Sequence, residues 1–249
     1  MNNIWTQFKN ELGYVTASIQ YTELALRISK GEHASELDSS SIEKTAKRYN
    51  LSVSAIPEDF GTRIVGNYII QVHCCVDEFL HNFKKLVGSP THELSYDEEE
   101  DNYLHWTMKI ALGDRSKEYT EYYRICNYYR LLRNEITHYD GKKEASLKAA
   151  FSLIQKTGEQ KLQAPNPLES ICFDDQVLFA RSARKLLEAI YFQSRYDWNA
   201  IVLKHKEDIG SIIASSKHDP EKTKRKVENY LKRLYPVPPV GIEDIVSLL

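Results

Sequence analysis

Arg133 and His138 stand five positions apart, with Asn134 directly after the arginine and Tyr139-Asp140-Gly141 directly after the histidine. An imidazole titrates near neutral pH and so gives or takes a proton. A guanidinium fork binds anionic oxygens and stabilises charge that builds on them. An amide between the two orients either partner. Around an ideal helix, positions five apart lie about 140° apart, so Arg133 and His138 do not share a face, whereas Asn134 and His138 do. Either the helix ends before His138, or a working site gathers residues from two chains. A plainer reading stands beside the catalytic one: both cations suit the negative end of a helix without further duty.

Other residues compete for attention. His73, Asp77 and His81 recur at steps of four, a spacing that could hold a metal, although the row borders an apolar face. A polar flank or the wall of a cleft is the preferred reading. Tyr119, Tyr122, Tyr123, Tyr128 and Tyr129 alternate with Arg124 and Arg130. Such residues stack on bases, but at helical spacing they read first as core and interface. Lys217, Lys222, Lys224, Arg225, Lys226, Lys232 and Arg233 form a basic stretch with Asp219, Glu221 and Glu228 among them. A solvated helix face is the first reading of that stretch and a phosphate-binding patch the second. No nucleophile elbow, glycine-rich phosphate loop or dinucleotide fingerprint is present, which argues against hydrolase, nucleoside-triphosphatase and dehydrogenase classes.

The elements that must position these groups follow from composition and period. The chain has 249 residues, 42% hydrophobic and 27% charged, with a net charge of -2. That is globular composition with no global field toward nucleic acid, so any such binding is local. No apolar run approaches the roughly 20 residues of a membrane span, and MNNIWTQFKNELGY lacks the pattern of a secretory signal. Cys74, Cys75, Cys126 and Cys172 form no C-x-x-C, so reduced thiols in a cytoplasmic protein are expected and a zinc site is not. No cofactor is expected.

Glycine and proline are scarce, and long stretches between them are free of helix breakers. Ile4, Trp5, Phe8, Leu12, Val15, Ile19 and Leu26 predict a helix over 4–29, with Gly31 as its stop. Residues 36–59, closing on Pro57, read as a connection with room for one short helix. Val65, Ile69, Val72, Val76, Phe79, Phe83 and Leu86 predict a core helix over 61–87, ended by Gly88 and Pro90. The acidic run Asp97 to Asp101 reads as a solvated loop. Tyr119, Tyr122, Cys126, Tyr129, Leu132 and Ile136 predict a helix over 117–138 that stops at Gly141. A short helix is expected over 145–154 and a loop at Pro165 and Pro167. Asp174 precedes a fourth long helix, to about Tyr196, with Val177, Ala180, Leu187 and Ile190 inward, and Asp174 and Asp175 suit its positive N-terminal end. Ile201 to Ala214 reads as one helix and Glu221 to Leu234 as a basic one, before a tail marked by Pro236, Pro238, Pro239 and Gly241. Four long helices with helical additions make an all-α bundle.

The segment Leu131 to Gly141, with Arg133, Asn134 and His138 near the end of a long helix, resembles the HEPN superfamily. Arg27 and His33 also satisfy that family's spacing, but they flank Gly31 and lack the polar neighbour. The resemblance implies a four- to five-helix up-down bundle over residues 1–198, with 199–249 as a C-terminal helical extension packed on the same domain. It implies a metal-independent endoribonuclease, plausible as a toxin or defence effector, working with an antitoxin or defence-system partner. RNA is then the substrate: its 2′-hydroxyl attacks the adjacent phosphorus while His138 moves protons, Arg133 stabilises the phosphate and Asn134 orients. It also implies a homodimer whose two-fold axis brings two copies of the motif into one composite site. The different-class alternative is a non-catalytic helical module that binds RNA, nucleotide or a protein partner. Some HEPN toxins carry a tyrosine two positions past the histidine that a partner enzyme modifies. Here Tyr139 follows His138 directly, which speaks against regulation by that route.

Overall fold

This computed structural model describes residues 3–33, 44, 47–48, 50, 60–87, 103–138, 144–154, 162–194, 196, 198–216 and 219–236, and no strand occurs among them. The chain is all-α. Its helices are α1 (Ile4–His33), α2 (Phe60–Val87), α3 (Tyr103–Leu112), α4 (Thr120–His138) and α5 (Glu144–Ile154). They continue as α6 (Phe173–Gln193), α7 (Trp198–Lys204), α8 (Lys206–Ala214) and α9 (Pro220–Leu234).

Several boundaries differ from those the residue pattern predicts. α1 runs past Gly31, since a glycine inside a helix costs only about 1 kcal/mol and does not by itself stop one. α3 lies where no helix is expected; its buried Leu104, Thr107, Met108, Ala111 and Leu112 carry a three-and-four spacing too short to stand out. Gly113 then leaves the helix at φ +56°, a conformation that L side chains rarely adopt, and a 3₁₀ segment (Gly113–Tyr119) leads into α4. The helix expected over Ile201 to Ala214 is two helices, broken at His205. Asp174, expected ahead of the helix, sits with Asp175 inside the first turn of α6. The expected features at Pro57, Gly88, Pro90, Asp97 to Asp101, Tyr139 to Gly141 and the tail beyond Pro236 lie outside the described residues.

The chain forms two compact units, Met1–Asn10 with Cys75–Tyr123 and Ala183–Leu249, and Glu11–Cys74 with Arg124–Ser182. The unit boundaries fall within α1, α2, α4 and α6, and residues 199–249 group with the first unit. That first unit is built on aromatic rings. Trp5 meets Phe8 at 5.5 Å and stacks on Tyr191 at 6.3 Å, while Phe8 meets Phe79 edge-on at 5.3 Å. Offset and edge-to-face pairs of this kind add to the free energy of burying the rings themselves. A second cluster of the same unit gathers Ile201, Val202, Ile209, Val227, Leu231 and Tyr235, with Leu86 and Trp198 packed against it.

The other unit holds the motif. Its core takes Leu12 and Ile19 from α1, Val65, Ile69 and Val72 from α2, Cys126, Tyr129 and Leu132 from α4, and Ile154 and Phe179 from α5 and α6. Tyr128, absent from the expected inward face of α4, is buried as completely as Tyr129. α2 and α4 approach closely at Gly66, where a Cβ would stand 3.4 Å from Ile136.

Candidate functional site

The end of α4 emerges from the core by degrees. Ile125, Cys126, Tyr128, Tyr129, Leu131 and Leu132 are buried, Arg133 to Ile136 are half-buried, and Thr137 and His138 are exposed. Beyond Leu132 only Ile136, beside Gly66, continues the apolar period, and the polar residues around it are half-buried or exposed. α4 remains helical through His138. Within one chain, therefore, Arg133 and His138 point about 140° apart around the axis.

Arg133 and Asn134 engage one another. The guanidinium donates from Nη1 to Asn134 Oδ1 at 2.9 Å, and its Nε is buried without a hydrogen-bond partner among the described residues. Asn134 therefore orients the arginine, and its contact is with that neighbour rather than with the imidazole one turn on. Thr137 donates its hydroxyl to the carbonyls of Arg133 and Asn134 at 2.9 and 3.2 Å, closing two acceptors at the helix end. His138 stands in solvent as the last residue of the helix.

The same unit holds a cleft of about 230 Å³, lined by the rings of Tyr128 and Phe151 and by Glu135, Glu144, Lys148 and Glu169. Lys148 is spoken for: its Nζ lies 2.5 Å from Glu144, and that contact, with the nearby Glu169, holds its pKa above the ordinary lysine value. Three carboxylates against one paired ammonium repel a phosphodiester. Arg133, Asn134 and His138 do not line this cleft.

Beneath the motif lies a feature that residue spacing does not disclose. The Asp175 carboxylate, wholly buried, accepts from Tyr129 Oη (2.8 Å), Asn166 N (2.8 Å), Asn166 Nδ2 (2.8 Å) and Cys172 N (2.9 Å). Tyr128 Oη in turn donates to Asn166 O at 2.5 Å. Desolvation, then Asp175 itself, pushes the Tyr129 hydroxyl pKa well up, so Tyr129 acts as a donor. The two buried tyrosines of the row thus anchor α4 to the first turn of α6 and to the segment before it. The acidic first turn of α6 is legible in sequence; its tyrosine partner 46 residues away is not.

The remaining sequence candidates separate. His73 is buried, whereas Asp77 and His81 are exposed, and among the described residues no three His, Cys, Asp or Glu side chains group to hold a metal ion. Tyr119, Tyr122 and Tyr123 are half-buried. None of the four cysteines is joined in a disulfide. Arg27 donates from Nε to Glu23 at 2.7 Å and lies over the Phe173 ring. Lys222, Arg225, Lys226, Lys232 and Arg233 are exposed on α9, and Lys217 lies outside the described residues.

His205 is a site that residue spacing missed. Tyr230 Oη donates to Asp208 Oδ2 at 2.6 Å and lies 2.9 Å from His205 Nδ1, while Tyr235 Oη lies 3.1 Å from His205 Nε2. Because the Tyr230 proton is committed to a carboxylate, Nδ1 is the donor toward Tyr230 Oη, while the single Tyr235 hydroxyl proton has both Nε2 and the Leu86 carbonyl within reach. The Leu86 carbonyl, 3.2 Å from Tyr235 Oη, also accepts from Lys204 Nζ at 3.3 Å. Burial, then the Lys204 charge, hold the imidazole pKa below its ordinary value against the opposing pull of Asp208.

Among the described residues, no helix is long and apolar enough to cross a membrane. Compared with protein-family models, with curated proteins and with solved structures, the chain matches none.

Proposed function

We propose that this chain is a metal-independent endoribonuclease of HEPN type, acting as a homodimer in which Arg133, Asn134 and His138 from two copies meet. The observation that carries the reading is the helical continuity of α4 through His138. One chain holds the guanidinium and the imidazole on different sides of the helix, so a second chain must complete a site around one phosphate. The half-buried, Asn134-bound Arg133 is preoriented, and its remaining Nη protons can take phosphate oxygens.

In this mechanism one His138 takes the proton of the 2′-hydroxyl, and the freed oxygen attacks the adjacent phosphorus. The bond from phosphorus to the 5′-oxygen breaks, that oxygen takes a proton from water, and the protonated His138 returns its own proton to solvent. Arg133 neutralises the charge that builds on the non-bridging oxygens. The products are a 2′,3′-cyclic phosphate and a 5′-hydroxyl. The up-down HEPN-like bundle and a role as a cytoplasmic toxin or defence effector, with its antitoxin, belong to the same proposal.

The buried Arg133 Nε favours a second reading, because a guanidinium half withdrawn from solvent also serves as a structural brace. On that reading the chain is a non-catalytic helical module. Incubating RNA with the wild-type chain, Arg133→Ala and His138→Ala in excess EDTA separates the two. The ribonuclease reading expects cyclic-phosphate ends from wild type and a loss on the order of 100-fold or more in either variant. Cleavage indifferent to His138→Ala, or absent altogether, leaves the binding module.

A further inference from the structure

The sequence Lys222 to Arg233 holds six Lys or Arg against a single acidic residue, Glu228, in a chain whose overall charge is -2. Helix geometry sorts these charges. At 100° per residue, Lys222, Arg225, Lys226, Asn229, Lys232 and Arg233 fall within an arc of about 120° that runs about 16 Å along α9. All six are exposed. Thr223, Val227 and Leu231 occupy the opposite face and are buried, the last two in the C-terminal apolar cluster. The carboxylates of the helix keep to one side of the arc, where Glu228 meets Lys232 at 3.6 Å. Asp219 is turned into the helix start, its Oδ1 accepting the Lys222 backbone N–H at 2.9 Å, ahead of Pro220. The cap and the buried face fix the rotation of the helix, so the basic arc is held outward.

We infer that this arc is a docking surface for the sugar-phosphate backbone of RNA. Five cations on one face of a helix, with the neutral Asn229 between Lys226 and Lys232, are complementary to a polyanion on a nearly neutral chain, and the arginine forks of Arg225 and Arg233 suit phosphate oxygens. An in-plane membrane helix needs an apolar face to bury among lipids, and the apolar face of α9 is already spent on the protein core. RNA as the polyanion rests on the ribonuclease reading; the anionic character of the partner rests on α9 alone.

The test measures binding of a fluorescent single-stranded RNA to the full chain across a salt series, with His138→Ala as the common background to stop turnover. Replacing Lys222, Arg225, Lys226 and Arg233 together by Gln removes four contacts. Affinity at about 0.1 M salt is expected to fall on the order of 100-fold, and the plot of log affinity against log salt to flatten by about 3. The charge-preserving pair Lys222→Arg and Lys226→Arg should bind as the background does, and circular dichroism should show unchanged helix in every variant. Unchanged affinity and slope in the Gln variant overturns the surface, as does capture by phosphatidylserine vesicles without binding to RNA. Loss of RNA binding in a chain that never cleaves RNA retains the surface and removes the nuclease; cleavage with binding indifferent to α9 does the reverse.

Discussion

Asp175 is a wholly buried carboxylate in the motif-bearing unit. Its carboxylate has no cation beside it in the described contacts, yet four donors converge on it. Asp175→Ala removes the acceptor of all four, of which the Asn166 side-chain amide keeps a second partner in the Gln163 carbonyl, and is expected to cost more than about 3 kcal/mol in urea unfolding, while Tyr129→Phe, which removes one donor, costs about 1 kcal/mol. Equal losses in the two variants would refute the four-donor account. His205 makes a prediction of sign. Its folded pKa lies below the ordinary imidazole value of about 6.5, so the unfolded chain takes up the proton first as pH falls. Stability from this group is full above the unfolded pKa and declines below it until the folded ring protonates as well. The urea midpoint of the wild-type chain should therefore drop more between pH 7.5 and 5 than that of His205→Gln. Parallel curves would mean that the ring titrates alike in both states.

At the scale of elements, the approach of α2 to α4 sets where the motif stands. A Cβ at Gly66 would sit 3.4 Å from Ile136, the contact of an ordinary methyl. Gly66→Ala is expected to be neutral or to stabilise by up to about 1 kcal/mol through helix propensity. Gly66→Leu overpacks the crossing, costs about 1–3 kcal/mol and displaces the turn that carries Arg133. Thermal unfolding measures both, and a Leu variant as stable as the Ala variant would show that the crossing is loose. The helices themselves were largely legible beforehand. Val65 to Phe83 announced α2 because burial of one face is a periodic constraint that neighbouring residues share. α3 was not legible, since ten residues hold too few turns to establish a period, and the acidic run before it dominates the reading. The break at His205 was not legible either. Ile201 to Ile213 keeps helical spacing across it, and the ring is held by Tyr230 and Tyr235, which lie 25 and 30 residues away.

For the whole molecule, the decisive question is stoichiometric. If each working site takes Arg133 from one chain and His138 from the other, mixing Arg133→Ala chains with His138→Ala chains restores one intact site in every mixed dimer. Random exchange makes half the dimers mixed, so about a quarter of wild-type cleavage should return, where each variant alone is inactive. No recovery after subunit exchange, with dimers verified by light scattering, would assign the motif to one chain or to no catalysis at all. The residue types Arg133, Asn134 and His138, their spacing and their place near a helix end were determined by the sequence alone, as was the all-α class, because period and punctuation are local properties of a chain. Only the tertiary structure decided that Arg133 leans on Asn134, that Tyr128 and Tyr129 serve a buried carboxylate, and that Val227 and Leu231 of α9 enter one apolar cluster with Ile201 and Tyr235. Each of these depends on which distant groups share the space around a side chain, and a linear pattern does not contain that information.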